Sequence, residues 1–205
     1  MAFSLFKAHP WHGIDPGDQL PQEVRAFIEI SPTDTVKYEI DKKSGHLKID
    51  RPQKYSVVVP ALYGFIPKTY CGSNIAGLCM AASGRTEIKG DGDPLDILVL
   101  TDRVIPRGDI LVDAIPIGGL RMVDKNEADD KIIAVLKGDY IYGAYNDLKD
   151  LPAGTVERIK HYFVTYKDMP SMGRTVEVLS EYGKEEAYRV IKASIEDYAD
   201  LASRQ

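Results

Sequence analysis

The stretch GDGDPLDILVL, residues 90–100, sets Asp91, Asp93 and Asp96 at the mouth of a short apolar run. At neutral pH the three carboxylates repel one another, and burial raises the cost further. The pattern therefore calls for something cationic to balance it. Asp91 and Asp93 share a face if the segment is extended, Pro94 forces a bend, and Asp96 opens the new strand. DILVL (96–100) has strand length and composition, which places the acids at a strand end rather than on a helix.

Working outward, other short strands share this punctuation by Gly and Pro. AFIEI (26–30) and TVKYEI (35–40) have strand composition, with Val36, Tyr38 and Ile40 on one face and Lys37 and Glu39 on the other. KKSGH is a turn, HLKIDR (46–51) a further strand, and YSVVVP (55–60) a strand stopped by Pro60. DILVDAIPIGGLRM (109–122) gives one or two more, and KIIAVLKG (131–138) completes the set. Helices come late. Val156, Ile159, Phe163 and Tyr166 are helically spaced over 155–167, as are Ala187, Ile191, Ile195 and Tyr198 over 184–201. Strands first and helices last predict an α+β fold, a small OB-like mixed β-barrel with two flanking helices, mostly C-terminal. No repeat or linker interrupts the chain, so one domain is expected over 1–205. Residues 1–25 read as an irregular arm and residues 69–90 as an inserted loop.

The chain has 205 residues, 44% hydrophobic and 28% charged, with a net charge of -5. This is the composition of an ordinary globular domain, and it argues against a broad nucleic-acid or membrane surface. The two cysteines, Cys71 and Cys79, form neither a disulfide framework nor a zinc set. His9 and His12 have H-x-x-H spacing without nearby partner ligands and read as turn or surface histidines. MAFSLFKAHPW lacks the apolar core of a signal peptide, and no stretch has the length of a spanning helix, so a cytoplasmic location is expected.

Clustered carboxylates without Cys or His suit a hard cation with oxygen ligands, Mg²⁺ or Mn²⁺ rather than Zn²⁺. An EF-hand loop fails at its fifth and sixth positions, which hold Leu95 and Asp96. A D-x-D phosphatase motif fails because the apolar strand follows the acids instead of preceding them. RMVDKNEADDK (121–131) adds Asp124, Asp129 and Asp130 in a hairpin or barrel-mouth loop. Lys37, Arg51, Tyr63, Tyr166 and Lys167 recur at element ends and are groups that hold phosphate oxygens. Acids for a metal beside basic phosphate holders describe an enzyme for a polyanionic phosphate. A non-catalytic OB-type binder is the second reading, and a nucleotide or polyphosphate hydrolase the third.

GDGDPLD resembles the D-x-D-P-x-D signature of the family I soluble inorganic pyrophosphatases. FIEI, VKYEIDKKSGHLKIDR, YGFIP, PIGGLRMVDKNEADDKIIAV and HYFVTYKD resemble further blocks of that family in its usual order. The resemblance implies hydrolysis of pyrophosphate to two phosphates by metal-activated water, without a covalent intermediate. It implies that Asp91, Asp96, Asp124 and Asp129 hold Mg²⁺, several ions per site, with Mn²⁺ or other divalent ions able to substitute. Asp93 resembles the general base. Lys37, Arg51, Tyr63, Tyr166 and Lys167 resemble the phosphate-binding set. Glu29, Glu39 and Lys131 resemble cavity-lining groups, and Asp130 has no counterpart. Val59 stands where bacterial members often have Tyr, which implies one phenol fewer in the cavity. A homo-oligomer is also implied, the hexamer being the family default, although the segment between Tyr63 and Asp91 is longer than in compact bacterial members.

Overall fold

A computed structural model describes residues 7–54, 56–167 and 175–204. In chain order the first elements are β1 (Val24–Ile30), β2 (Val36–Ile40), β3 (Leu47–Pro52), β4 (Leu62–Phe65) and α1 (Ser73–Ser83). There follow β5 (Lys89–Gly90), β6 (Asp96–Leu100), β7 (Ile110–Asp124), β8 (Glu127–Ala128) and β9 (Lys131–Leu136). The chain ends with α2 (Ala153–Thr165), β10 (Val176–Gly183) and α3 (Lys184–Ala202).

β1 pairs β4, β4 pairs β6, β6 pairs β9, β9 pairs β7, and β7 returns to β1. Five strands thus close a ring in which only the β6–β9 step is parallel. Closure removes the free edges that a five-stranded sheet would otherwise expose. The ring interior is apolar, with Ala26, Ile28, Leu62, Ile97, Val99, Ala114, Ile132 and Ala134 among its buried residues. Side chains alternate, so the same strands offer a second set, Tyr63, Leu98, Leu120 and Ile133, to α2. β2 and β3 form a separate hairpin, and β10 lies on the far half of β7.

The α+β, barrel-centred architecture expected from the sequence is present, with three differences. Residues 69–90 are not an open loop: Ser73–Ser83 is an α-helix closed by Gly84 at φ 70°. Its buried stripe is only Ile75, Ala76 and Cys79, and small residues around it hide the period. No strand runs through 56–60. Val57 turns back onto the Lys54 carbonyl, and the strand starts beyond Pro60. There Gly64 is required, because a Cβ would lie 1.9 Å from the Phe27 carbonyl oxygen. Third, the strand Val176–Gly183 was not expected. Most of it is exposed or half-exposed, and its register is set by β7.

The described part of the N-terminal arm does lie over the core. Trp11 is buried beside Phe27, Ile40 and Phe65, and its Nε1 donates to the Thr69 carbonyl at 2.7 Å. The His9 and His12 rings lie tilted against each other within that arm, with centroids 4.7 Å apart. Cys71 and Cys79 are free, buried thiols. Among the described residues no helix is long and apolar enough to cross a membrane.

Candidate active site

A cleft of about 380 Å³ opens at the end of the ring, where β6 begins and β7 ends. β1 contributes Glu29, the β2–β3 hairpin Lys37, Glu39, Lys42, Asp50 and Arg51, and β4 Tyr63 and Phe65. The turn before β6 brings Asp91 and Asp93, and β6 opens with Asp96. Asp124, Glu127, Asp129 and Lys131 come from the β7–β9 connections, and Tyr166 and Lys167 from the end of α2. All thirteen site residues expected from the sequence line this one cleft. Lys42, Asp50 and Glu127 line it as well and were not anticipated. Asp50 was legible in principle, since Lys37 pairs with Arg51 in the ladder and Asp50 is its neighbour.

Local folding explains the placement. Gly92 (φ 76°) makes the turn between Asp91 and Asp93, and the Asp93 N–H donates to Asp91 Oδ1 at 2.9 Å. Lys125 (φ 50°) and Asn126 (φ 69°) make the tight turn after Asp124. Lys131 faces Asp96 across the parallel β6–β9 ladder. Its ammonium lies between Asp96 and Asp129 and donates to both. Tyr63 also donates to Asp96, at 2.5 Å, and Lys167 donates to Asp124 at 2.6 Å. Lys42 reaches over from the hairpin turn to Asp93. On the opposite wall Lys37 binds Glu39 at 3.2 Å and Asp50 at 3.1 Å. Arg51 pairs with Asp50 and lies 5.9 Å from the Tyr166 ring centroid.

Nine carboxylates line the cleft against five cationic side chains. The imbalance appears in the protonation equilibria. Burial, and next the Asp129 charge, push Asp91 up to about 8. Burial lifts Glu29 to about 8, with Asp96 and Glu39 adding to it against the Ile40 N–H. Asp129 is raised by burial too, with Asp96 adding to the rise against the nearby Lys131 ammonium. Burial opposes ionisation of Asp124, yet the Lys167 hydrogen bond holds it below the usual carboxylate range. Burial likewise disfavours the charge on Lys131, but Asp129 and Asp96 more than offset this and keep it protonated.

The residues fit a hard divalent cation. The donors are all oxygens, the acids outnumber the bases, and Asp124 Oδ1 is buried without a hydrogen-bond partner among the described residues. As they stand, no three of the described carboxylates enclose one point, because ammonium groups are spaced between them.

The family model described as inorganic pyrophosphatase matches residues 26–199. The chain belongs to the inorganic pyrophosphatase family. It is 49% identical over 198 residues to the inorganic pyrophosphatase of Chlamydia muridarum, covering 94% of this chain and 95% of that one. It is 39% identical to soluble inorganic pyrophosphatase 2 of Chlamydomonas reinhardtii, covering 94% and 90%. The crystal structure of the inorganic pyrophosphatase from Thermus thermophilus superposes with a TM-score of 0.79 at 30% identity, covering 94% of this chain and 99% of that one. This pyrophosphatase family member is therefore a hydrolase whose family resemblance, read from short motifs, extends over nearly the whole chain.

Val59 and Asp130, the two positions that the sequence sets apart from the site residues, both lie outside the cleft. Val59 is fully buried beside Ala61 and Leu98 and does not line the cleft. Asp130, next to Asp129, points away from it. It meets buried Arg121 at 3.4 Å and accepts from the Tyr182 hydroxyl at 3.2 Å.

Proposed function

We propose that this protein hydrolyses inorganic pyrophosphate to two orthophosphates in the cleft between the hairpin and the β6–β9 strand ends. The observation that carries the reading is the convergence of thirteen residues, spread from Glu29 to Lys167, on one cleft in a chain of this family. Asp91, Asp96, Asp124 and Asp129 are the proposed ligands for Mg²⁺, with Mn²⁺ as a substitute. Such ions, when bound, neutralise phosphate charge and lower the pKa of a coordinated water.

The chain's own groups divide the remaining work. Asp93 is the proposed acceptor for the proton of the attacking water, and its half-exposed carboxylate is open to the cleft. An oxygen–phosphorus bond forms as the bridging oxygen–phosphorus bond breaks, and the departing phosphate carries the charge away. Lys37, Arg51 and Lys167 offset that charge, and Tyr63 and Tyr166 donate hydroxyl hydrogen bonds. Lys37 and Lys167 remain cationic at neutral pH: Asp50 and Glu39 outweigh burial at Lys37, and Tyr166, with Asp124 and Asp129, outweighs it at Lys167, which suits a polyanionic substrate. Glu29, Glu39 and Lys131 set the field of the cavity. Within the described cleft no Cys, Ser or His stands where it could act as a nucleophile, which favours direct attack by water.

The continuous ring and the family match over 26–199 support one domain. Two free, buried thiols support a reducing, cytoplasmic setting. A homo-oligomer is proposed on the family resemblance, and sedimentation of the purified chain checks it. The test of function is phosphate release from pyrophosphate with and without Mg²⁺, beside a panel of nucleotides and polyphosphates. Rapid Mg²⁺-dependent release from pyrophosphate is expected. No release from it, or faster release from a nucleotide, overturns the assignment.

A further inference from the structure

We propose that Asp197, on α3 and outside the cleft, is a positioning residue for the Asp91–Asp93 turn, acting through the segment Thr69–Ile75. The proposal rests on the assignment of Asp91 and Asp93 to the reaction given above.

Asp197 is an anomaly on its own helix. It sits on the buried face of α3, only 3% exposed, in line with Ala187, Val190, Ile191 and Ser194. A carboxylate so placed needs hydrogen bonds. It finds them 122 to 125 residues earlier in the chain. The N–H groups of Gly72 (2.9 Å), Asn74 (3.0 Å) and Ile75 (3.2 Å) all donate to its two oxygens. These belong to the start of α1, whose own N-cap, Gly72, has no side chain to satisfy them. Gly72 lets the carboxylate in, since a Cβ there would lie 2.9 Å from the Asp197 carboxyl carbon and force that side chain to shift. One turn earlier on α3, the Ser194 carbonyl accepts from the Tyr70 N–H at 2.9 Å.

The segment held in this way is the bed of the acidic turn. The Cys71 N–H donates to the Asp93 carbonyl at 2.8 Å, and the Gly92 N–H donates back to the Cys71 carbonyl at 3.1 Å. The Leu95 N–H donates to Thr69 Oγ1 at 2.9 Å. Gly90 lies flush on the same segment, where a Cβ would come within 2.1 Å of the Cys71 oxygen. The backbone of residues 90–95 therefore has its position set by residues 69–72, and theirs is set by α3. α1, which the sequence reading leaves without a role, is the element that Asp197 grips. A shift at Gly72 passes through Cys71 to Asp91 and Asp93 with no flexible side chain between.

The test compares Asp197→Ala and Asp197→Asn with the wild type and with Asp147→Ala. Asp147 is a capping carboxylate too, accepting from Lys149 N (3.2 Å) and Lys184 N (3.0 Å), but it lies at the other end of α3 and does not line the cleft. Mn²⁺ binding is measured by the signal of the free ion, and amide exchange is followed at Cys71, Gly92 and Asp93. Asp197→Ala is expected to weaken Mn²⁺ binding by about 10-fold, the lower end for loss of a ligand-orienting partner. Exchange at the three amides should accelerate, and the Mg²⁺ needed for half-maximal activity should rise in parallel. Asp197→Asn keeps one oxygen that can still accept from Gly72 and Ile75, so its loss of affinity should be smaller but measurable. It also stands in for the alanine variant if that one does not fold. Asp147→Ala should lower the melting temperature without changing Mn²⁺ affinity. Wild-type Mn²⁺ affinity in a folded Asp197 variant, or equal weakening in Asp147→Ala, overturns the proposal. If the wild type binds Mn²⁺ yet releases no phosphate from pyrophosphate, the catalytic assignment fails, while binding and exchange still decide the positioning role.

Discussion

Lys167 Nζ donates to Asp124 Oδ2 across 2.6 Å, tying the residue just beyond α2 to the last residue of β7. The contact joins a proposed phosphate-holding cation to a proposed metal-holding acid, so each keeps the other ionised until ligands arrive. Lys167→Met removes the cation and the hydrogen bond that it gives to Asp124. A hydrogen bond from a charged group contributes about 1.5–3 kcal/mol, so kcat/KM for pyrophosphate should fall by about 10–100-fold. Steady-state kinetics at saturating Mg²⁺ checks this, and an unchanged kcat/KM removes Lys167 from the substrate set.

Asp93 is the acid of the signature least constrained by its surroundings, its side chain 47% exposed and paired only with Lys42 among the described contacts. Asp93→Asn preserves its shape and the backbone turn that carries it. The fold should persist, and kcat should drop by about 10²–10⁴-fold, the range for loss of a general base. Near-wild-type turnover in a folded variant counts against the role given to Asp93.

What the sequence made legible follows from the range of the interactions involved. DILVL and KIIAV are continuous apolar runs, so their strands were readable, and the acids around them fell at strand ends. Ser73–Ser83 was not readable because Ala76, Gly77, Ala81 and Ala82 blur any apolar stripe, and because its N-terminal cap comes from Asp197. Val176–Gly183 was unreadable for a similar reason: few of its side chains are buried, and pairing with β7 decides its conformation. Lys42 sits in a polar turn, and only the closure of the β2–β3 hairpin brings it to Asp93.

Adjacent acids in EADDK have separable fates. Asp130 faces Arg121, which is 1% exposed and also bound to Glu186 at 2.6 Å, whereas Asp129 faces the cleft. Asp130→Ala leaves a buried guanidinium with Glu186 as its one carboxylate among the described residues, beside the Tyr182 ring. Removing one partner of a buried pair costs about 3–5 kcal/mol, and the remaining Glu186 contact places this case near the lower figure. For a chain of this size that is a fall in melting temperature of about 6–12 °C. Asp129→Ala leaves Lys131 to Asp96 and relieves Asp91 and Asp96 of a like charge, so it should lower the melting temperature of the metal-free protein less and raise the Mg²⁺ requirement. Calorimetry on both metal-free variants tests the split, and equal destabilisation refutes it.

Glu29 links the stability of the metal-free protein to pH. It is 7% exposed, accepts from the Ile40 N–H at 2.7 Å, and burial lifts it from 4.5 to about 8. The folded chain thus binds this proton more tightly than the unfolded chain does. The stability that Glu29 contributes is complete below about pH 4.5 and is lost progressively as pH rises through 8. Glu29→Gln keeps the acceptor for Ile40 and removes the titration. The variant should match the wild type near pH 4.5 and exceed it by up to about 5 kcal/mol at pH 9, the limit that a shift of this size implies. Urea unfolding of both proteins in the presence of a chelator, at the two pH values, measures the difference. A gap that does not widen with pH means that Glu29 ionises in the fold as freely as in the unfolded chain.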